Sequence, residues 1–155
     1  MNTVPYSDEK VQKFIQDNFI PLKSQCFWDK PTEMMKKYDI KWTPTFLVHD
    51  SDGKEHHRFV GYVPPDDLLA QLGLAKGKIF FNNDRFPEAI EQFQIVMDRH
   101  PKAGATPEAI FLFGVSGYKH THDPKPLRKA YDLLTAKYPQ SEWARRADAY
   151  SVIPQ

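Results

Sequence analysis

Cys26 is the single cysteine of this 155-residue chain, and a lone thiol limits the chemistry at once. A thiolate that attacks a disulfide forms a mixed disulfide, which a second cysteine must resolve. Without that partner, Cys26 in the stretch KSQCFWD reaches no further than a mixed or intermolecular disulfide. No helix N-terminus is identifiable beside it to lower its pKa. A structural or incidental thiol is the plainer reading. An internal disulfide and a Cys-only zinc site are both excluded.

The histidines suggest metal chemistry but space it poorly. His56 and His57 fall in a strand-like run, where adjacent side chains point to opposite faces, so one ion cannot easily take both. His120, His122 and Asp123 sit in a turn-like stretch with no second cluster to complete a coordination shell. No metal site is expected, and no cofactor. There is no Gly-rich phosphate loop, no Gly-x-Ser-x-Gly and no His-Glu-x-x-His. No catalytic residue is therefore assigned.

Composition narrows the partners. A net charge of +1, with Lys and Arg interspersed among acids, argues against nucleic-acid or membrane-surface binding driven by bulk electrostatics. No apolar run approaches the roughly 20 residues that span a bilayer. The opening MNTVPYSDEK lacks the basic and apolar blocks of a signal peptide. A reducing cytoplasm is the expected setting. At 41% hydrophobic and 26% charged residues, the chain has the means to pack a core.

One further stretch invites chemistry of a different kind: KWTPTFLVHDSDG, residues 41–53, places Pro44 directly before an apolar run. Proline gives no N–H to a sheet ladder, so it belongs at a strand's first residue or edge. The surrounding elements explain its place. Ser7 is a plausible N-cap, with Asp8 and Glu9 suited to a helix N-terminus. Val11, Phe14, Ile15 and Phe19 then recur at helical spacing. NFIPLKS reads as a short strand, confined by Pro21 to an edge or an irregular start. Pro31-Thr32 begins a short helix through Met35 and Tyr38. Phe46 to His49 is an apolar strand, DSDG a turn, and EHHRFVGY the returning strand of a hairpin. Pro64-Pro65-Asp66-Asp67 opens a helix carrying Leu68, Leu69 and Leu72.

This order, with Thr43-Pro44-Thr45 at the head of the apolar strand and Gly61 after the return strand, resembles the thioredoxin fold over residues 1 to about 72. The resemblance implies a cis bond before Pro44 and a loop that faces a redox site. It also implies that backbone beside the proline pairs with an extended substrate peptide, a form of strand addition. Trp42, Thr43 and Pro44 are thus the expected peptide-binding residues, Trp42 supplying an apolar anchor. Trp42 would serve equally as a cover over the core edge.

The family's Cys-x-x-Cys and the strand that delivers it do not occur here. In relatives, the stretch after the second cysteine resembles MNTVPYSDEKV from its Met onward. Two readings follow: a chain that starts late, with the Cys-x-x-Cys upstream of Met1, or a natural remnant without redox chemistry. The resemblance puts the absent strand inside the sheet, between NFIPLKS and TFLVH. Its loss leaves facing unpaired edges. Each apolar side chain left uncovered forfeits roughly 1.5–3 kcal/mol, against a domain stability of about 5–15 kcal/mol. That arithmetic favours the late start, and it predicts poor stability or self-association of the bare chain. The residues present cannot perform dithiol–disulfide exchange in either case.

From Gly73 onward the pattern turns to helix pairs. Ala89, Phe93, Val96 and Met97 recur at three- and four-residue intervals, and the chain repeats itself at an offset of 38. Phe93 corresponds to Tyr131, Val96 to Leu134 and Pro101 to Pro139. Gly77, Phe80, Ala89, Phe93 and Pro101 resemble a tetratricopeptide repeat in their spacing. YKHTHDPKP lengthens the turn of the second unit, and YPQSEWARRA begins a third helix. The aromatics are expected to be core rather than cofactor contacts.

The expected architecture is therefore α/β then all-α: a partial thioredoxin-like sheet with flanking helices in residues 1–72, followed by tetratricopeptide-like helical hairpins in residues 73–155. The expected role is a protein-binding module in redox or protein handling, its partner a protein or peptide. The alternative is a thiol–disulfide oxidoreductase whose Cys-x-x-Cys lies upstream of Met1.

Overall fold

The computed structural model describes residues 6–155, so the expectation resting on Met1 to Pro5 lies outside the described residues. The residues up to Leu68 form one compact unit and Leu69–Gln155 a second.

The first unit opens with α1, Glu9–Asn18, which buries Val11. Its N-cap is Asp8 rather than Ser7: the Asp8 carboxylate accepts the N–H groups of Lys10 at 2.9 Å and Val11 at 3.2 Å. A carboxylate is favoured there because it satisfies orphan donors and faces the positive end of the helix. Residues 19–27 then run without regular structure. The strand expected over NFIPLKS does not form, and Ile20 and Leu22 are each 91% exposed. Strands exist only as pairs, and Pro21 removes a donor from the middle of this one.

Thr32 caps the short helix α2, Glu33–Lys37, through a bond from the Met35 N–H. Strands β1, Thr45–His49, and β2, Glu55–Val60, form an antiparallel hairpin, the only sheet among the described residues. Gly53 takes φ +82° in the turn, a conformation that costs glycine little. Val48 pairs with His57 and His49 with Glu55, so His56 is an extra residue on β2, a bulge. A bulge re-aims side chains. This is why His56 and His57 are both buried, although plain alternation would expose one of them. Met35, Val48 and Leu68 join Val11 as the buried large apolar side chains of this unit.

Helix α3, Pro65–Asn82, runs unbroken through residue 72. It is followed by α4, Phe86–Arg99, α5, Thr106–Thr121, α6, Lys125–Lys137, and the short α7, Glu142–Arg146, which leads into a 3-10 turn at Asp148–Val152. Two apolar clusters hold the second unit together. Ala70, Leu74, Ala89, Phe93, Val96 and Ala109 form one, and Ile110, Ala130, Leu134, Ala144 and Ala147 the other.

The turn expected to be lengthened is short. Helix α5 persists through Thr121, whose Oγ1 bonds back to the Gly117 carbonyl at 2.8 Å. Only His122, Asp123 and Pro124 remain before α6, matching Asn83, Asp84 and Arg85 between α3 and α4. Each turn has one residue in the left-handed region: Asp84 at φ +57° and His122 at φ +59°. The Tyr138 hydroxyl donates to the Pro101 carbonyl, joining the ends of the two helical hairpins.

Candidate functional site

Pro44 stands immediately before β1, where its missing N–H breaks no ladder bond. Its carbonyl accepts the Gly61 N–H at 2.8 Å, extending the hairpin by one bond. The Thr43–Pro44 peptide bond is cis. Thr45 Oγ1 donates to the Trp42 carbonyl at 2.6 Å and folds the loop over its own start. These bonds come from the hairpin side, and they fix the loop at the start of β1.

Trp42 projects from this loop and is 65% exposed. Its indole stacks on that of Trp28, with ring centroids 6.1 Å apart and planes at 25°. Trp28 and its neighbour Phe27 are also exposed. Sequence reasoning had assigned no role to Trp28; its signal was two adjacent aromatics, Phe27-Trp28, in a stretch otherwise polar. Large rigid aromatics held open to water offer apolar area at little entropic cost, as binding surfaces do.

Behind the loop the hairpin is held by aromatic and ionic contacts. Phe46 and Phe59 stack across the strands at 4.5 Å. Arg58 forks onto Glu55 through Nε at 2.8 Å and Nη2 at 2.9 Å, and Nη2 also donates to the Tyr38 carbonyl at 2.8 Å. The guanidinium holds the Glu55 carboxyl below its ordinary pKa. At the turn, the fully buried His56 side chain meets Asp50 Oδ2 at 2.7 Å, while Asp50 Oδ1 accepts the N–H groups of Asp52 and Lys54 at 3.0 Å each. The His56 bond, and then the Lys54 N–H, keep the Asp50 carboxyl below its ordinary pKa.

The remaining candidates from the sequence stay apart. Cys26 is a free, partly buried thiol on the irregular segment. His57 packs against the Phe59 ring at 5.6 Å, and His122 ends α5. Among the described residues, no three of His, Cys, Asp and Glu converge as a metal ion requires. Among them, too, no helix is long and apolar enough to cross a membrane.

No curated protein and no solved structure matches the chain. A family model does match part of it, ending at Lys76 inside α3 and spanning just under half the chain. Residues 5–76 match the model of a thioredoxin-like domain, and among the described residues of that stretch the sheet is small and two-stranded.

Proposed function

We infer that the chain is a protein-binding module of redox or protein handling, with tetratricopeptide-like hairpins following its thioredoxin-like domain and no dithiol site within these residues. The observation that carries this reading is the exposed Trp42–Trp28 stack beside the Thr43–Pro44 loop. Trp42 supplies an apolar anchor, while Thr43 and Pro44 present backbone to an extended peptide. The tetratricopeptide-like part of the reading draws support from the two helical hairpins, their equal turns and the shared burial of Val96 and Leu134.

The test is a selection of extended peptides from a displayed library on the whole chain, with amide shifts mapped by NMR. Peptides that shift Trp42, Thr43 and Thr45, and bind about tenfold more weakly to Trp42→Ala, support the site. Peptides indifferent to Trp42 remove it. In parallel, insulin-disulfide reduction with dithiothreitol is expected to stay at background, and clear turnover would refute the absence of a dithiol activity.

The second reading is a thiol–disulfide oxidoreductase whose Cys-x-x-Cys lies upstream of Met1. It is favoured by β1, which pairs with β2 alone among the described residues. An in-frame strand-coding stretch ending in Cys-x-x-Cys directly before Met1 would establish it, and a stop codon there would remove it.

A further inference from the structure

We propose that the helical unit carries a second binding site, a groove for an acidic peptide that inserts one apolar side chain where α4, α5 and α6 meet. The proposal rests on reading this unit as a binding module, but it is independent of the Trp42 loop. The groove has a volume of about 370 Å³, within the range of about 300–1,000 Å³ usual for ligand pockets. Ile90 of α4, Phe113 and Gly117 of α5 and Pro126 of α6 make its apolar wall, and Lys125 and Lys129 stand over it.

The floor is set by close helix packing. A Cβ at Gly117 would stand 2.7 Å from Pro126 Cβ, so α5 and α6 touch there, and both residues line the groove. The Lys129 ammonium lies 5.8 Å from the centre of the Phe113 ring. A ligand seated on Phe113 therefore meets a cation beside the apolar wall.

Charge decides what kind of ligand fits. Lys125 and Lys129 are one turn apart on α6 and share a face. Both are exposed, and among the described residues neither has a carboxylate partner. Asp123 also lines the groove, but one of its oxygens accepts the Lys125 N–H at 2.9 Å at the start of α6. Two ammoniums against one carboxylate leave a net positive rim, and the positive end of the 13-residue α6 adds to it. A purely apolar ligand would gain nothing from the two ammoniums, which stay hydrated beside it. A Leu or Phe side chain flanked by Glu fills the wall and pairs the lysines together. A basic peptide is repelled.

The experiment titrates the isotopically labelled whole chain with acetylated, amidated hexapeptides and follows the amide shifts. The probes are Glu-Glu-Leu-Leu-Glu-Glu and Glu-Glu-Phe-Leu-Glu-Glu, with versions carrying Lys for Glu or Ser for the apolar pair. Saturable shifts at Phe113, Gly117 and Lys129 are expected from the acidic apolar peptides alone, fading as salt rises from about 50 to about 300 mM. The double variant Lys125→Glu/Lys129→Glu is expected to bind about tenfold more weakly with an unchanged melt. Should it melt early, Lys125→Gln/Lys129→Gln takes its place with the same expectation. Ile90→Ser, which keeps every charge, should weaken binding about threefold to tenfold. Trp42→Ala should leave this binding intact, which separates failure here from failure of the Trp42 site. No saturable shift up to about 5 mM, equal binding of the Lys peptides, or indifference to both lysine variants would overturn the proposal.

Discussion

The Phe93 ring fills the space that a side chain at Gly77 would need: a Cβ there would lie 2.3 Å from the ring. Helices α3 and α4 thus meet through a missing side chain on one and a full aromatic on the other. The second hairpin solves the same contact differently. A Cβ at Gly114 of α5 would lie 2.5 Å from Ala130 Cβ and 2.9 Å from the Pro126 carbonyl oxygen, so there a methyl group and a backbone carbonyl both come close. Alanine at a helical glycine ordinarily gains about 1 kcal/mol. Overpacking a tight core costs about 1–3 kcal/mol, so both substitutions should destabilise. Gly77→Ala should be largely rescued by Phe93→Leu, which vacates the ring. Gly114→Ala should find only partial rescue from Ala130→Gly, because that trims the methyl but leaves the Pro126 carbonyl in place. Urea denaturation of the two single glycine variants and of each with its rescuing substitution reads this directly.

The Asp50–His56 contact predicts sensitivity of the hairpin to acid. The Asp50 carboxyl is held below its ordinary value of 3.8 in the folded chain. Its contribution to stability is therefore complete above that unfolded-state value and lost as the pH falls through the lower folded one. Asp50→Asn cannot ionise, so it should flatten this part of the acid limb while losing stability at neutral pH. Amide exchange of β1 and β2 between about pH 2.5 and pH 6 tests it. An acid limb identical to the wild type's would contradict it.

Arg128 should control the end of the chain. Its Nη1 donates to the Ser151 carbonyl at 3.0 Å and the Ile153 carbonyl at 2.7 Å, while Nε meets Asp132 at 2.9 Å. Charged donors of this kind are worth about 1.5–3 kcal/mol each when well placed, less where water competes. Arg128→Ala is expected to cost about 1–3 kcal/mol and to speed proteolysis after residue 147. Arg128→Lys should rescue little, because a single ammonium cannot span both carbonyls and Asp132. Limited proteolysis with mass spectrometry distinguishes the three.

Trp42→Ala separates binding from folding. With Trp42 65% exposed, removal of its indole should change stability by no more than about 0.5–1 kcal/mol. Peptide binding at the loop should fall much further. A large loss of melting temperature would instead make Trp42 a cover for the core.

The sequence spoke most clearly where one periodicity ruled a segment. The apolar run of Phe46 to His49, the Gly53 turn and the spacing of Ala89, Phe93 and Val96 all led to the observed elements. It spoke least clearly where a partner or a backbone angle decided. Ile20 and Leu22 look like strand residues, yet a strand needs a neighbour and Pro21 removes a donor. His122 carries no glycine's signature for a left-handed residue, so the end of α5 was hidden and its last turn read as loop. The bulge at His56 broke the alternation that had placed two histidines on opposite faces. Trp42 was legible from its neighbours Thr43 and Pro44, whereas Trp28 reaches it from the irregular segment that no period describes. The lysine groove was invisible for a related reason: its walls come from three helices whose proximity no single stretch encodes.

Helix α3 bears on any attempt to dissect the molecule. Its first turn carries Leu68, counted with the hairpin's unit, and its next turns carry Ala70 and Leu74 of the following unit's core. A cut at residue 72 would fray a helix in mid-course and strip an apolar seam on whichever fragment lost it. A fragment that keeps α3 whole therefore runs to Asn82, and it brings with it a greasy stripe that its new host must cover.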